Sequence, residues 1–234
     1  MSVTAPEGFV AAGGAGGIKA DGKADLALVA TASRAPAPAA AVFTSNLAAA
    51  APVRVSQEHL TSTAGMAAAV ILNSGNANAA TGPEGVQVAR SMCAMTAGAL
   101  GLDTEAVLVC STGLIGAPLS LAPIQTALPR LVRVLGPDSA SGEAAARAIM
   151  TTDTFPKQVR VDRPGFVVGG MAKGAAMLAP NMATMLAVLT TDAVLEPTDL
   201  QPALHKAVEE SFNLLSIDGC TSTNDTVMVL TSAK

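Results

Sequence analysis

Tryptophan and tyrosine are absent from this chain of 234 residues, and phenylalanine occurs only five times. There is almost no aromatic surface on which nucleic-acid bases could stack. Positive charge is equally thin: 14 Lys and Arg face 18 Asp and Glu, a net charge of -4 with no basic cluster. A polyanion or an anionic membrane surface therefore finds no electrostatic footprint. Long apolar runs are missing too, the longest being Met66 to Leu72, far below the ~20 residues that span a bilayer. The opening residues, Met1 to Glu7, have neither the basic nor the apolar region of a secretory leader, and the expected compartment is the cytoplasm. Cysteine is scarce and odd in number. Cys93, Cys110 and Cys220 lack metal-ligand spacing and read as reduced, buried thiols. Only two histidines occur, His59 and His205, and His205 has Glu209 one turn away as a surface pair. No HExxH, CxxC or dinucleotide fingerprint is present, which leaves metal and nicotinamide chemistry unsupported.

What is abundant is small. Half the residues are apolar, many of them alanine, with 21 glycines and 14 prolines, a composition that suits a tightly packed α/β protein. Short β-prone runs cover Leu26 to Thr31, Ala40 to Thr44, Ala68 to Leu72 and Ala106 to Cys110. Between the last two a helix opens at Pro83 and closes near Gly101, with Val88, Met92, Met95 and Ala99 expected on its inner face. A second helix is expected over Ser141 to Met150, and a strand from Phe166 to Val168 before Gly169 and Gly170. Thr198 and Gln201 suggest a capping box for a helix whose apolar face carries Leu200, Ala203, Leu204, Ala207, Val208 and Phe212. The glycine-rich stretch Gly13 to Gly17 reads as a plain turn, since the Walker pattern of a phosphate cradle is missing.

Chemistry has few places to sit. Hydroxyl and small polar residues gather in four loops that follow apolar runs: Asn73 to Asn78, Cys110 to Gly113, Thr151 to Thr154 and Asp218 to Asp225. Strand-end loops are where α/β proteins place their sites, yet each of these compositions is also ordinary turn chemistry. Lys173 alone reads as a solvated lysine, and Thr184 alone as a buried threonine in a Met/Leu-rich element.

The segment Lys173-Gly174-Ala175-Ala176-Met177-Leu178-Ala179-Pro180-Asn181-Met182-Ala183-Thr184-Met185-Leu186 changes that balance. It resembles the autoprocessing site of the ornithine acetyltransferases, the glutamate N-acetyltransferase family of arginine biosynthesis. Further motifs follow the family's order: Asn73 to Asn78, Ser111 to Gly116, Ile149 to Lys157 and Ser222 to Thr226. The similarity runs from Gly8 to the last residues. One departure lies at Phe43-Thr44-Ser45-Asn46-Leu47, where members often carry arginine beside the asparagine. Members also continue well beyond position 234, so the sequence resembles a C-terminally truncated member.

The resemblance implies a layered α/β sandwich of the kind shared with self-processing aminopeptidases. It implies cleavage between Ala183 and Thr184, giving an alpha chain of residues 1–183 and a beta chain beginning at 184, of which 184–234 are given. Thr184 would then be the nucleophile, with its freed α-amine as base. The amine suits that task because its reference pKa of ~7.7 to 8.0 lies near working pH. Thr112 and Gly113 would form the oxyanion hole, and Thr151, Lys173 and Thr184 would bind substrate. The implied reaction moves acetyl from N2-acetyl-L-ornithine to L-glutamate without a cofactor or metal. Some members also accept acetyl-CoA as donor, and an oligomer of cleaved chains is expected. Two other outcomes stay open at this stage: an amidase or aminopeptidase on the same scaffold, and an inactive fragment.

Overall fold

The computed structural model describes residues 2–175 and 185–232. In chain order the elements are β1 (Phe9–Gly14), β2 (Leu26–Thr31), β3 (Ala37–Phe43), α1 (Ala51–Ser62), β4 (Met66–Ala67), β5 (Ala69–Asn76) and α2 (Gly82–Leu100). They continue as β6 (Val107–Leu114), α3 (Leu121–Arg133), α4 (Ser139–Ala148), β7 (Lys157–Arg163), β8 (Phe166–Lys173), β9 (Leu186–Thr191), α5 (Pro197–Glu209) and β10 (Thr226–Thr231). Two sheets result, one of order β1-β2-β5-β6 and one of order β4-β3-β10-β9-β8-β7.

Period-two alternation places the central strands of each sheet between two cores. Ala27, Val29, Val70, Leu72, Leu108 and Cys110 from the four-stranded sheet meet Leu186, Val188, Met228 and Leu230 from the six-stranded one. On the outer face of the first sheet Leu28, Ile71, Val107 and Val109 pack with Val55, Met92, Ile124 and Leu128 of α1, α2 and α3. On the outer face of the second, Ala187, Val227 and Val229 lie under Leu200, Leu204 and Val208 of α5. Helices, sheet, sheet and helix form four layers, the layered α/β sandwich expected above. At ~25 cal/mol per Å2 of apolar surface, the inner core between the sheets is a major source of cohesion.

Several local expectations give way. Helix α2 does start beside Pro83 and end on Gly101, which takes the left-handed conformation (φ 72°). Its buried face, however, carries Gly85, Ala89, Met92, Cys93, Thr96 and Leu100, while Ala99 is exposed. The small side chains let the helix lie close to the sheet, turned by about one residue from the Met/Val stripe. Gly13 and Gly14 belong to β1 and pair with Ala27 and Leu26, so they are not turn residues. A Cβ on Gly13 would overlap the Ala144 carbonyl of α4, so the glycine is needed for helix-to-strand contact. Strand β8 runs through Gly169 and Gly170 to Lys173 instead of stopping at them.

Helix α5 is capped at Glu196 without a side-chain bond, and the Thr198/Gln201 capping box does not form. Gln201 instead hydrogen-bonds the backbone of Ala41 in β3, accepting from its N-H at 3.3 Å and donating to its carbonyl at 3.1 Å. Beyond Pro38 that edge of β3 has no strand partner among the described residues, and the amide stands in for one. Cys93 and Cys110 are buried, whereas Cys220 is exposed, contrary to expectation. The His205–Glu209 surface pair does form, at 3.2 Å.

Candidate active site

Two of the four polar motifs expected to be loops are strand ends, while Thr151 to Thr154 and Asp218 to Asp225 are loops. Asn73 to Asn76 are the last residues of β5, and Cys110 to Leu114 the last of β6. Turn-like residues survive there because they satisfy one another across a parallel pair. Ser111 Oγ and Asn73 Oδ1 are 2.6 Å apart, Asn73 Nδ2 donates to the Asn76 carbonyl at 2.9 Å, and Ser74 Oγ donates to the Ala148 carbonyl at 2.6 Å. Gly75 and Gly113 face each other in register at a bulge. Gly113 has φ 134°, and a Cβ there would overlap the Gly75 backbone, so this position is closed to other residues.

The end of β8 and the starts of β9 and β10 join this corner. Asn224, just before β10, donates from Nδ2 to the Ala77 carbonyl at 2.7 Å and to the Ser111 carbonyl at 2.9 Å, tying the two sheets together. Thr44 N-H donates to the Asp225 carbonyl at 2.9 Å, and Thr44 Oγ1 to the Ser222 carbonyl at 2.7 Å. The Phe43–Leu47 stretch thus serves as a brace for the Ser222–Asp225 motif. Asp225, fully buried, accepts the Met185 N-H at 2.7 Å.

Lys173, the last residue of β8, is 2 % exposed and donates from Nζ to Thr112 Oγ1 at 3.2 Å. Burial lowers its pKa, Asp153 and Asp225 oppose that shift, and Lys157 and Lys19 add to it. Asp153 accepts from Lys157 Nζ, from the Gly174 N-H at 2.8 Å and from the Thr151 N-H at 3.3 Å. Burial would raise the Asp153 carboxyl, but these partners prevail and hold it below its usual range. Lys19 reaches the same corner, donating from Nζ to the Met150 carbonyl at 2.8 Å. Its loop is gathered by Asp25, which accepts from the N-H groups of Gly16, Ile18 (2.6 Å) and Lys19 (2.7 Å). Those amides are occupied by a carboxylate and do not form an open phosphate cradle.

Of the six expected site residues, Thr112, Gly113 and Lys173 come together directly. Thr151 is exposed and joins them through Asp153. Ala183 and Thr184 lie outside the described residues, although Met185, bonded to Thr184, begins beside Asp225. Sequence reasoning missed Asp153, Asp225, Asn224 and Lys19. The only signal for Asp153, Asp225 and Asn224 was membership of the polar motifs, where a carboxylate or amide passes for turn chemistry, and Lys19, outside those motifs, had none. A surface hollow of about 550 Å3 lies alongside, lined by Ala48, Arg54, Thr81, Pro83, Arg90 and Thr223, and only Thr223 belongs to these motifs. Among the described residues no group of three or more His, Cys, Asp or Glu could hold a metal, and no helix is long and apolar enough to cross a membrane.

Two facing sheets between helix layers, with hydroxyls, lysines and a backbone N-H at one corner, make a layered α/β sandwich with its polar groups gathered at the strand ends. The fold matches that of the L-aminopeptidase D-Ala-esterase/amidase of Ochrobactrum anthropi, described as a variant of the Ntn hydrolase fold, with TM-score 0.57 and 12% identity over 99% of this chain and 73% of that one. The ArgJ family model matches residues 10–234, and the chain belongs to that family. The arginine biosynthesis bifunctional protein ArgJ of Mycolicibacterium paratuberculosis is 52% identical over 99% of this chain. The chain spans 58% of the length of that relative. The crystal structure of ornithine acetyltransferase from Mycobacterium tuberculosis, complexed with ornithine, superposes with TM-score 0.73 and 46% identity over 76% of this chain and 94% of that chain.

Proposed function

We propose that the protein is a self-cleaving acetyltransferase that moves an acetyl group from N2-acetyl-L-ornithine to L-glutamate. The Thr184 hydroxyl attacks the Ala183 carbonyl, the peptide bond shifts to an ester, and water hydrolyses it to a carboxylate and a free Thr184 amine. That amine then takes the proton of its own hydroxyl, which attacks the acetyl carbonyl of the donor. The C-N bond to ornithine breaks, ornithine leaves with a proton on its amine, and glutamate's amine collects the acetyl group from the ester. The oxygen charge of each tetrahedral stage meets the Thr112 hydroxyl and the Gly113 N-H.

One observation carries this reading: the buried Lys173–Thr112 pair at 3.2 Å stands at the corner where Met185 begins. Lys173 is a buried ammonium at that corner, faced by both Asp153 and Asp225 and by Lys157 and Lys19, and a cation fixed there can pair with a substrate carboxylate. Thr151 and Lys173 are the substrate contacts of this proposal. The match of Thr151 to Lys157 to the family's motif supports a transferase over an amidase. Acetyl-CoA as an additional donor, a cytoplasmic setting and an oligomer of cleaved chains complete the reading, which follows the family.

The test is the mass of the purified protein and the fate of its acetyl group. Expected are one piece ending at Ala183, one beginning at Thr184, and acetylglutamate as product. An intact chain that transfers acetyl normally, or free acetate in place of acetylglutamate, overturns the proposal. Thr184→Ala should give one unbroken polypeptide with no transfer, and CoA release from acetyl-CoA would establish the second donor.

A further inference from the structure

Asp225 is a carboxylate with half its bonding capacity accounted for. It sits immediately before β10, wholly out of solvent. Its Oδ1 accepts the Met185 N-H at 2.7 Å, while Oδ2 has no hydrogen-bond partner among the described residues. A buried carboxylate oxygen left unpaired is costly and rare in native structures. The backbone around it is fixed from three sides. The Asp225 carbonyl takes the Thr44 N-H at 2.9 Å, the Thr226 N-H donates to the Met185 carbonyl at 3.0 Å, and Asn224 is bound to the ends of β5 and β6. The carboxyl group therefore cannot readily turn away to find another partner.

Covalent chemistry limits what can lie nearby. The nitrogen of residue 184 is three bonds from the Met185 nitrogen, within about 3.6 Å by standard bond lengths. A cut ahead of Thr184 puts a primary amine at that nitrogen, with at least one more N-H than the single one of the uncut peptide. We propose that Asp225 is a positioning residue for this amine: Oδ1 anchors the Met185 N-H, and Oδ2 accepts an N-H of the freed amine, aiming its lone pair at the Thr184 hydroxyl. The inference rests on the Thr184 reading given above and adds the group that orients the base.

The electrostatics agree. Burial pushes the Asp225 carboxyl up to about 7, against the pull of the Met185 N-H, of the Ser222 hydroxyl, which lies close without making a hydrogen bond of good geometry to Oδ2, and of Lys173. Lys173 on β8 is the charged group that acts on it among the described residues, and Lys173 is itself faced by Asp153, Lys157 and Lys19. A carboxylate so poorly solvated gains from a neighbouring N-H donor, and in return raises that amine's proton affinity.

The variant Asp225→Asn tests this in the full-length protein, because the amide oxygen can still accept from Met185 while the charge is removed. Turnover of N2-acetyl-L-ornithine with glutamate should keep an acid limb in its kcat profile, moved about one unit to lower pH because the amine loses its anionic neighbour. The kcat plateau should fall about tenfold or more as the base loses its alignment, with KM within about twofold. Should Asn fail to fold, Asp225→Ser keeps an acceptor for Met185 and should move the limb the same way. A limb that stays in place in a folded variant, or loss of the fold in both, makes Asp225 purely structural and overturns the proposal. The wild-type mass separates the two layers of argument. A chain that stays whole removes the Thr184 reading and this inference with it, whereas a cut chain with an unmoved limb removes this inference alone.

Discussion

Lys173 Nζ lies 3.2 Å from Thr112 Oγ1, with both side chains buried. An ammonium can only donate, so the Thr112 oxygen is the acceptor and its own hydrogen remains available for a further partner. Charge on Lys173 also polarises that hydroxyl, which makes it a better donor to a developing oxyanion than an unassisted threonine.

Removing the hydroxyl while keeping the shape should therefore cost rate more than binding. Thr112→Val is expected to lower kcat by about 10²- to 10³-fold with little change in KM, as read from steady-state acetyl transfer. Lys173→Met should act in the same direction, because it leaves Asp225 and Asp153 without their shared cation. The expected loss in kcat/KM corresponds to about 2 to 5 kcal/mol. Equal activity of Lys173→Met and wild type would remove Lys173 from the site.

Asp153 gives a pH-dependent prediction. Its carboxyl is held below the usual range by Lys157 and two N-H groups. The sign follows from linkage: a depressed carboxylate contributes stability above its unfolded pKa and loses it as pH falls through its folded one. Asp153→Asn should destabilise the protein at neutral pH by about 2 kcal/mol. The gap between variant and wild type should close below about pH 4. Urea unfolding at a series of pH values reads this directly, and a gap independent of pH would contradict it.

Two adjacent glycines should respond differently. Gly13→Ala forces α4 away from β1 and is expected to cost about 3 kcal/mol. The same change at Gly14 meets only Leu131 Cδ1 at 3.8 Å and should be neutral to within about 0.5 kcal/mol. Thermal unfolding of the pair provides its own control.

Gln201 offers a test of the edge it covers. Gln201→Ala frees the Ala41 N-H and carbonyl, and a loss of about 1 to 2 kcal/mol is expected from chemical denaturation. Acetyl transfer should be unaffected if the corner formed by β5, β6, β8 and β10 is independent of that edge.

The sequence showed where elements change more reliably than how they face. Pro83 and Gly101 bracket α2 because proline cannot follow a turn of helix and glycine tolerates a left-handed cap. The face of α2 was misread because alanine and glycine, which lack a strong hydrophobic signal, are the residues that approach the sheet. Asn73 to Asn76 read as a loop for a related reason: a buried polar ladder across β5 and β6 has the composition of a turn. Thr112, Gly113, Thr151 and Lys173 were legible only through their ordered motifs. Asp153 and Asp225 were not singled out, since one carboxylate among turn residues has no periodicity to mark it and its importance comes from being buried.

The six-stranded sheet has β9 and β10 in its middle, between β8 on one side and β3 on the other. Every other strand of that sheet comes from residues earlier in the chain than 175. A backbone break ahead of residue 185 therefore releases nothing, because the later piece stays threaded between two parts of the earlier one by ladders along both of its flanks. The severed polypeptides should travel as one particle through any separation that leaves the sheet intact, and come apart only when the whole layer melts.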